Sequence, residues 1–212
     1  MKITIISDTH NKHNELDQFL TEESDVIIHC GDFTSMGYIE EVKKFLNWFS
    51  NLNQFTHKIF IAGNHDFSFE ENFDEVKDLI PPNVIYLENS EVVIDGVKFY
   101  GTPIQKVFYN WAFNKEYGDL QKYYKMIPDD VDVLITHTPP FGILDNVFNN
   151  PIPQGSPVLD EEIFERIKPK INCFGHIHES YGVKDIYNIK FVNASVLNMK
   201  YQIMNKPIIV EI

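Results

Sequence analysis

A chain of 212 residues with 43% hydrophobic side chains is long enough to bury one sizeable core and too apolar to be disordered. Its 31 acidic against 18 basic groups give a net charge of -13, which repels nucleic-acid backbones and anionic membranes. Arg166 is the only arginine, so a phosphate site built on guanidinium forks is nearly excluded.

In chain order, short runs rich in Ile, Val and Phe at residues 3–6, 26–28, 59–62, 133–135 and 171–174 read as buried strands. Between them, residues 38–52 place Ile39, Val42, Phe45, Leu46 and Phe49 on one helical face. Asp95-Gly96 between residues 91–94 and 97–100 signals a hairpin. Residues 102–115, with Phe108, Tyr109, Trp111 and Phe113, read as a long loop. So do residues 138–157, with five prolines. Residues 161–168 predict a short helix that stops before Pro169. A second hairpin is expected around Asn188. Strand–helix alternation followed by hairpins predicts an α/β fold with a mixed sheet, as a single domain over residues 1–212.

No apolar run reaches the roughly 18–20 residues of a membrane span, and residues 3–6 are too few for a signal-peptide core. A cytoplasmic protein is expected, with no membrane partner. Cys30 and Cys173 read as small buried hydrophobes rather than a disulfide framework.

Each of the five apolar runs is followed by groups able to bind metals. They are Asp8-Thr9-His10, Gly31-Asp32, Gly63-Asn64-His65-Asp66, Thr136-His137 and Gly175-His176-Ile177-His178. Five strands of one sheet would deliver these groups to the same rim. A glycine opens three of the sets, which predicts sharp backbone turns at the strand ends. Imidazole with carboxylate suits manganese, iron, zinc or nickel better than calcium. The donors outnumber the needs of one tetrahedral ion. Two divalent ions about 3.5–4 Å apart are therefore expected, an arrangement that acts on phosphate esters.

These sets resemble the five-part signature of the calcineurin-like metallophosphoesterases over residues 8–178. The words around them, such as Cys30-Gly31-Asp32-Phe33-Thr34, Thr136-His137-Thr138-Pro139-Pro140 and Asn193-Ala194-Ser195, resemble the metallophosphoesterase-domain-containing branch. The resemblance implies two mixed sheets packed as a sandwich between helices, a four-layer αββα arrangement. It implies that Asp8, His10 and His178 hold one metal, that Asn64, His137 and His176 hold the other, and that Asp32 bridges. It places His65 near the leaving oxygen as general acid, with Asp66 orienting it. It also implies attack on phosphorus by a hydroxide held between the metals. Manganese is the first choice of ion, with iron, zinc, nickel or magnesium as alternatives. Protein phosphatases of the superfamily carry an Asp-Arg pair after the Gly-Asp pair. Here Phe33-Thr34 follows, which argues against a phosphoprotein substrate.

The expected substrate is a small phosphodiester, with nucleotides (2′,3′- or 3′,5′-cyclic ones included) as the leading class and long nucleic acid disfavoured by charge. The alternatives are a nucleotide phosphomonoesterase or a slow nucleotide-binding module. Asn64, His65, Phe33, Trp111, Phe113 and Thr138 are the candidate substrate contacts. His13 reads as a solvated loop residue, His29 as a core histidine, and the acidic run at residues 70–75 as a solvated helix start. The resemblance implies that Asn193-Ala194-Ser195 supports the site from a neighbouring strand.

Overall fold

Runs of Ile, Val and Phe cross the molecule as strands in a computed structural model that describes all residues, Met1–Ile212. The strands are β1 (Lys2–Ile6), β2 (Ser24–His29), β3 (Phe55–Phe60), β4 (Ile85–Tyr86), β5 (Ser90–Ile94), β6 (Val97–Thr102), β7 (Gln105–Lys106), β8 (Asn114–Lys115), β9 (Val133–Thr136), β10 (Ile171–Phe174), β11 (Gly182–Ile186), β12 (Ile189–Asn193) and β13 (Ile208–Glu211). The helices are α1 (Ile39–Ser50), α2 (Phe67–Glu71), α3 (Phe73–Val76), α4 (Tyr117–Lys125) and α5 (Pro157–Glu162), with short 3₁₀ turns between elements. None is long and apolar enough to cross a membrane.

The five apolar runs do not share the one sheet that their alternation with helices predicts; they divide between two packed sheets, as the family resemblance implies. The first sheet has the order β13-β1-β2-β3-β4 and the second β11-β12-β10-β9-β6-β5. Strands β1 to β4 run parallel, with β13 antiparallel at the edge. Strands β12, β10, β9 and β6 run parallel, with both edges antiparallel. Runs buried on both faces look alike in sequence whichever sheet they join, so periodicity could not divide them.

Alternation along each strand builds the layers. Ile3, Ile5, Val26, Ile28 and Ile59 of the first sheet pack in one cluster with Phe99, Val133, Ile135, Ile171 and Val192 of the second. The alternate residues face outward to helices. Phe60 meets Phe45 of α1 at 5.5 Å, and Phe191 of β12 meets Phe164 at 5.8 Å. The result is helix, sheet, sheet, helix. Burying the 18 residues between the sheets stabilises the sandwich by about 1.5–3 kcal/mol for each large side chain.

Local signals explain the boundaries. Glu41 accepts the Tyr38 N–H at 3.1 Å and fixes the start of α1. The helix expected at residues 161–168 begins earlier. Ser156 accepts the Leu159 N–H at 3.3 Å and Pro157 occupies the first turn, a start signal hidden inside the proline-rich stretch. It widens into a π-turn at Ile163–Ile167 and ends at Lys168, whose φ is 49°. Both hairpins form where expected.

Candidate metal centre

Strands β1, β2 and β3 end at the same rim as β9 and β10, and the two sheets touch there. Ser7 bridges to Ser195, and the His137 ring meets the Cys30 carbonyl at 2.9 Å. Three groups of donor atoms collect at this seam: Asp8, His10 and His178; His10, Asp32 and His65; Asp32, His137 and His176. Within each group the donor atoms all lie within 4.8 Å of one another. Asn64 Oδ1 joins the last group, 3.0 Å from His137 Nε2.

The backbone is bent to make this happen. Asp8, His10, Asp32 and His176 have φ of 54°, 37°, 56° and 66°, a left-handed setting that costs of order 1–3 kcal/mol for most side chains. The glycines serve a different purpose from the turns expected of them. Only Gly31, at φ 98°, needs the left-handed region. At Gly175 a Cβ would collide with the Asp8 carboxylate and the Ser7 hydroxyl, and at Gly63 with Asp32. Clearance for the carboxylates is what these positions require.

Four imidazoles share one arrangement. Each offers Nδ1 to a backbone carbonyl: His10 to Thr34 at 3.1 Å, His65 to Ser35 at 2.8 Å, His137 to Cys30 at 2.9 Å and His178 to Asn198 at 3.3 Å. A carbonyl can only accept, so Nδ1 carries a proton, and in the neutral ring Nε2 presents a lone pair. His10 Nε2 is buried with no partner and lies 3.6 Å from Asp32 Oδ2. His137 Nε2 lies 3.3 Å from the same oxygen. Asp8 faces His178 Nε2 at 3.5 Å and is aimed by the His176 N–H and by the Ser195 hydroxyl at 2.8 Å.

The charges respond to this crowding. Burial pushes the Asp8 and Asp32 carboxyls up, but the histidines around them win and hold both well below the usual carboxylate range. Burial opposes a charged His137, yet Asp32, Asp8 and the Cys30 carbonyl hold its pKa up to about 9. Burial brings His10 down to about 4 and His176 to about 3. Two carboxylates, the Asn64 amide oxygen and the neutral His10 and His176 rings thus crowd together at one seam, where a divalent cation can take the place of the proton that His137 otherwise holds. Divalent cations fit this donor set.

A cavity of about 290 Å³ opens over the donors, lined by His10, Asp32, Asn64, His65, His176 and His178, and by Phe108, Val147, Ile177, Glu179, Met199 and Tyr201. Several expected contacts lie elsewhere. Phe33 is fully buried, stacked on Phe45 at 4.1 Å, because the turn at Asp32 sends the next side chain into the core. Phe113 and Thr138 are also buried. Trp111 lies on the His65 ring at 4.0 Å and supports it instead of lining the cavity. Asp66 does not touch that ring. Its carboxylate accepts from the amides of Asp32, Gly63 and Thr34 at 2.7–2.9 Å and from the Thr34 hydroxyl at 2.6 Å, pinning two site loops together.

Other residues also differ from expectation. His13 is buried against Trp48 at 5.0 Å, not solvated. Glu70 is not merely solvated, since it accepts the Phe113 N–H at 2.8 Å and holds the aromatic loop. His29 is a core histidine bonded to Thr9, and both cysteines are free and buried. Ser195 does support the site, through Asp8. Val147, Met199 and Tyr201 escaped the sequence reading because no motif surrounds them.

Two sheets whose strand ends converge carboxylates and imidazoles on one seam define a hydrolase of the metallophosphoesterase class. The sequence profile of the calcineurin-like phosphoesterases matches residues 1–180, and the chain belongs to that family. Metallophosphoesterase domain-containing protein 1 of Homo sapiens is 38% identical, over 100% of this chain and 71% of that protein. A phosphodiesterase of Methanocaldococcus jannaschii is 29% identical, over 68% of this chain and 93% of its own. The crystal structure of phosphopantetheinyl hydrolase from Mycobacterium tuberculosis shares the fold, with a TM-score of 0.60 at 12% identity, covering 94% of this chain and 90% of that one.

Proposed function

We propose that this chain is a metal-dependent phosphodiesterase acting on small monoanionic diesters, with nucleotide diesters, cyclic ones included, as the leading class. The observation that carries the reading is the convergence of the Asp32, His137, His10 and Asn64 ligand atoms at one seam. Asp8, His10 and His178 would hold one ion, Asn64, His137 and His176 the other, with Asp32 between them and manganese as the first choice. Two divalent ions, when bound, supply a water acidified toward neutral pH and positive charge for the phosphoryl oxygens.

The chain's own groups do the rest. The His65 Nδ1 proton is committed to Ser35, so Nε2, when it carries a second proton, is the atom placed to deliver one to the leaving oxygen. Trp111 holds that ring in place. Ser195 and the His176 N–H keep the Asp8 carboxylate aimed.

Diester over monoester is supported by what lines the cavity. No Lys or Arg does, and Glu179 does. A second substrate charge would find no side-chain cation and one carboxylate. The name of the M. jannaschii relative supports the same choice. The two free buried cysteines accord with work in a reducing cytoplasm, and the charge of -13 with small substrates rather than long nucleic acid.

The test is hydrolysis of bis-p-nitrophenyl phosphate and p-nitrophenyl phosphate with manganese and with a chelator. We expect diester turnover at least tenfold above monoester turnover, abolished by the chelator. Monoester preference would replace this reading with the phosphatase one, and tight nucleotide binding with no turnover would leave a binding module.

A further inference from the structure

Two half-exposed aromatic rings stand against opposite halves of the proposed metal centre. The Tyr201 ring lies 5.0 Å from His10 and 5.4 Å from His178. The Phe108 ring lies 5.5 Å from His176, edge to face. Both line the same cavity, and both remain well exposed, at 42% for Phe108 and 44% for Tyr201. Neither ring is needed to fill the core.

The backbone under each ring is held firmly. Tyr201 takes φ 55°, an unfavourable setting for a bulky residue. Asn198 enforces it. Its carbonyl accepts the Tyr201 N–H at 2.8 Å, and its side-chain oxygen accepts the N–H groups of Lys200 at 2.8 Å and Gln202 at 3.1 Å. The same carbonyl meets His178 Nδ1, so one residue positions both a histidine and the ring above it. Asn114 plays the equivalent part for Phe108. It accepts that residue's N–H at 3.2 Å and donates to the carbonyls of Phe108 at 3.2 Å and Tyr109 at 3.0 Å. Strain maintained by such networks is characteristic of ligand clamps.

Resting on the phosphodiesterase reading above, we propose that Tyr201 and Phe108 are the specificity walls of the cavity, and that the substrate carries a flat, uncharged ester group held by stacking. An aryl ester, or a nucleoside ester whose purine base supplies the flat face, meets this description. The rest of the lining agrees. Val147, Ile177 and Met199 are apolar, and Glu179 is the one charged side chain beyond the donor set, which disfavours an anionic substituent.

The experiment measures binding of diphenyl phosphate and dimethyl phosphate to the metal-loaded full chain by calorimetry. Both are monoanionic diesters, and only one has flat groups. Wild type should bind diphenyl phosphate at least tenfold more tightly. Tyr201→Ala and Phe108→Ala should each weaken diphenyl phosphate about tenfold, as expected for loss of one stacking partner, and leave dimethyl phosphate unchanged. Tyr201→Phe should keep the wild-type preference, and metal content should stay at its wild-type value in all three. Should Tyr201→Ala lose metal or fail to fold, Phe108→Ala on the other half carries the test. Equal wild-type affinity for the two diesters, or equal weakening of both in metal-replete variants, overturns the proposal. A wild type that hydrolyses no diester defeats the phosphodiesterase reading instead, whereas turnover without preference for the flat ligand defeats this proposal alone.

Discussion

The floor of the cavity and its rim are built on opposite principles. The floor residues Asp8, Asp32 and His137 are almost wholly buried, sit at strand ends, and have their orientations fixed by backbone carbonyls and amides. The rim residues Phe108, Met199 and Tyr201 are half exposed and come from loops tied mainly to themselves. A chemical step that tolerates little misplacement needs the first kind of support. Choosing among substrates needs the second, where a side chain can change without moving the reacting groups.

The broadest effect expected on this contrast comes from Gly175→Ala, which acts on metal content and turnover together. The added methyl would strike two buried side chains, Asp8 and Ser7, neither of which has room to retreat. We expect metal content to fall and turnover to drop by about 10–100-fold, since misaimed ligands and their supports cost that order of affinity. Gly118→Ala, which meets nothing within 4 Å, is the matched control and should change neither. Full metal occupancy in Gly175→Ala would mean the floor is softer than its packing implies.

His65 stands where floor meets rim, bonded to Ser35 below and covered by Trp111 above. His65→Ala should cost about 10²–10⁴-fold on alkyl leaving groups and far less on nitrophenol esters, which need no protonation. Equal losses on both would remove its acid role.

The smallest effect lies outside both regions and separates acid damage to the fold from acid damage to the site. Burial against Trp48 brings the His13 pKa down to about 4, below its unfolded value near 6.5. A neutral His13 therefore contributes its full stability above about pH 6.5 and loses it as pH falls toward 4. His13→Leu should remove about 2 kcal/mol of the stability lost between pH 7 and 4.5, read from urea midpoints with chelator present. An unchanged pH slope would place His13 in contact with water.

Sequence and structure agree best where chemistry forces residue identity. Asp8, His10, Asp32, Asn64, His65, His137, His176 and His178 all reach the seam because each belongs to a short polar word after an apolar run. The two sheets were legible only through the family resemblance and not from the strand pattern, because a doubly buried strand reads the same in either. Phe33 was misplaced for a related reason. It neighbours Asp32 in sequence, but Asp32 is itself left-handed, and that turn sends the two side chains to opposite sides. Among the rings of residues 108–113, spacing alone could not say that Phe108 faces the cavity while Phe113 is buried and Trp111 braces His65. Tyr201 was hidden further still, since its place depends on a turn organised by Asn198.

The donor set is split across the seam. Asp8, His10 and Asp32 follow strands of one sheet, while His137, His176 and His178 follow strands of the other. An ion shared by both groups is therefore a rivet through the sandwich, and its binding free energy adds to the adhesion between the sheets. Metal starvation would then do more than silence the chain. It would loosen the seam, shorten the chain's life against proteases, and make its abundance follow the supply of trace metal.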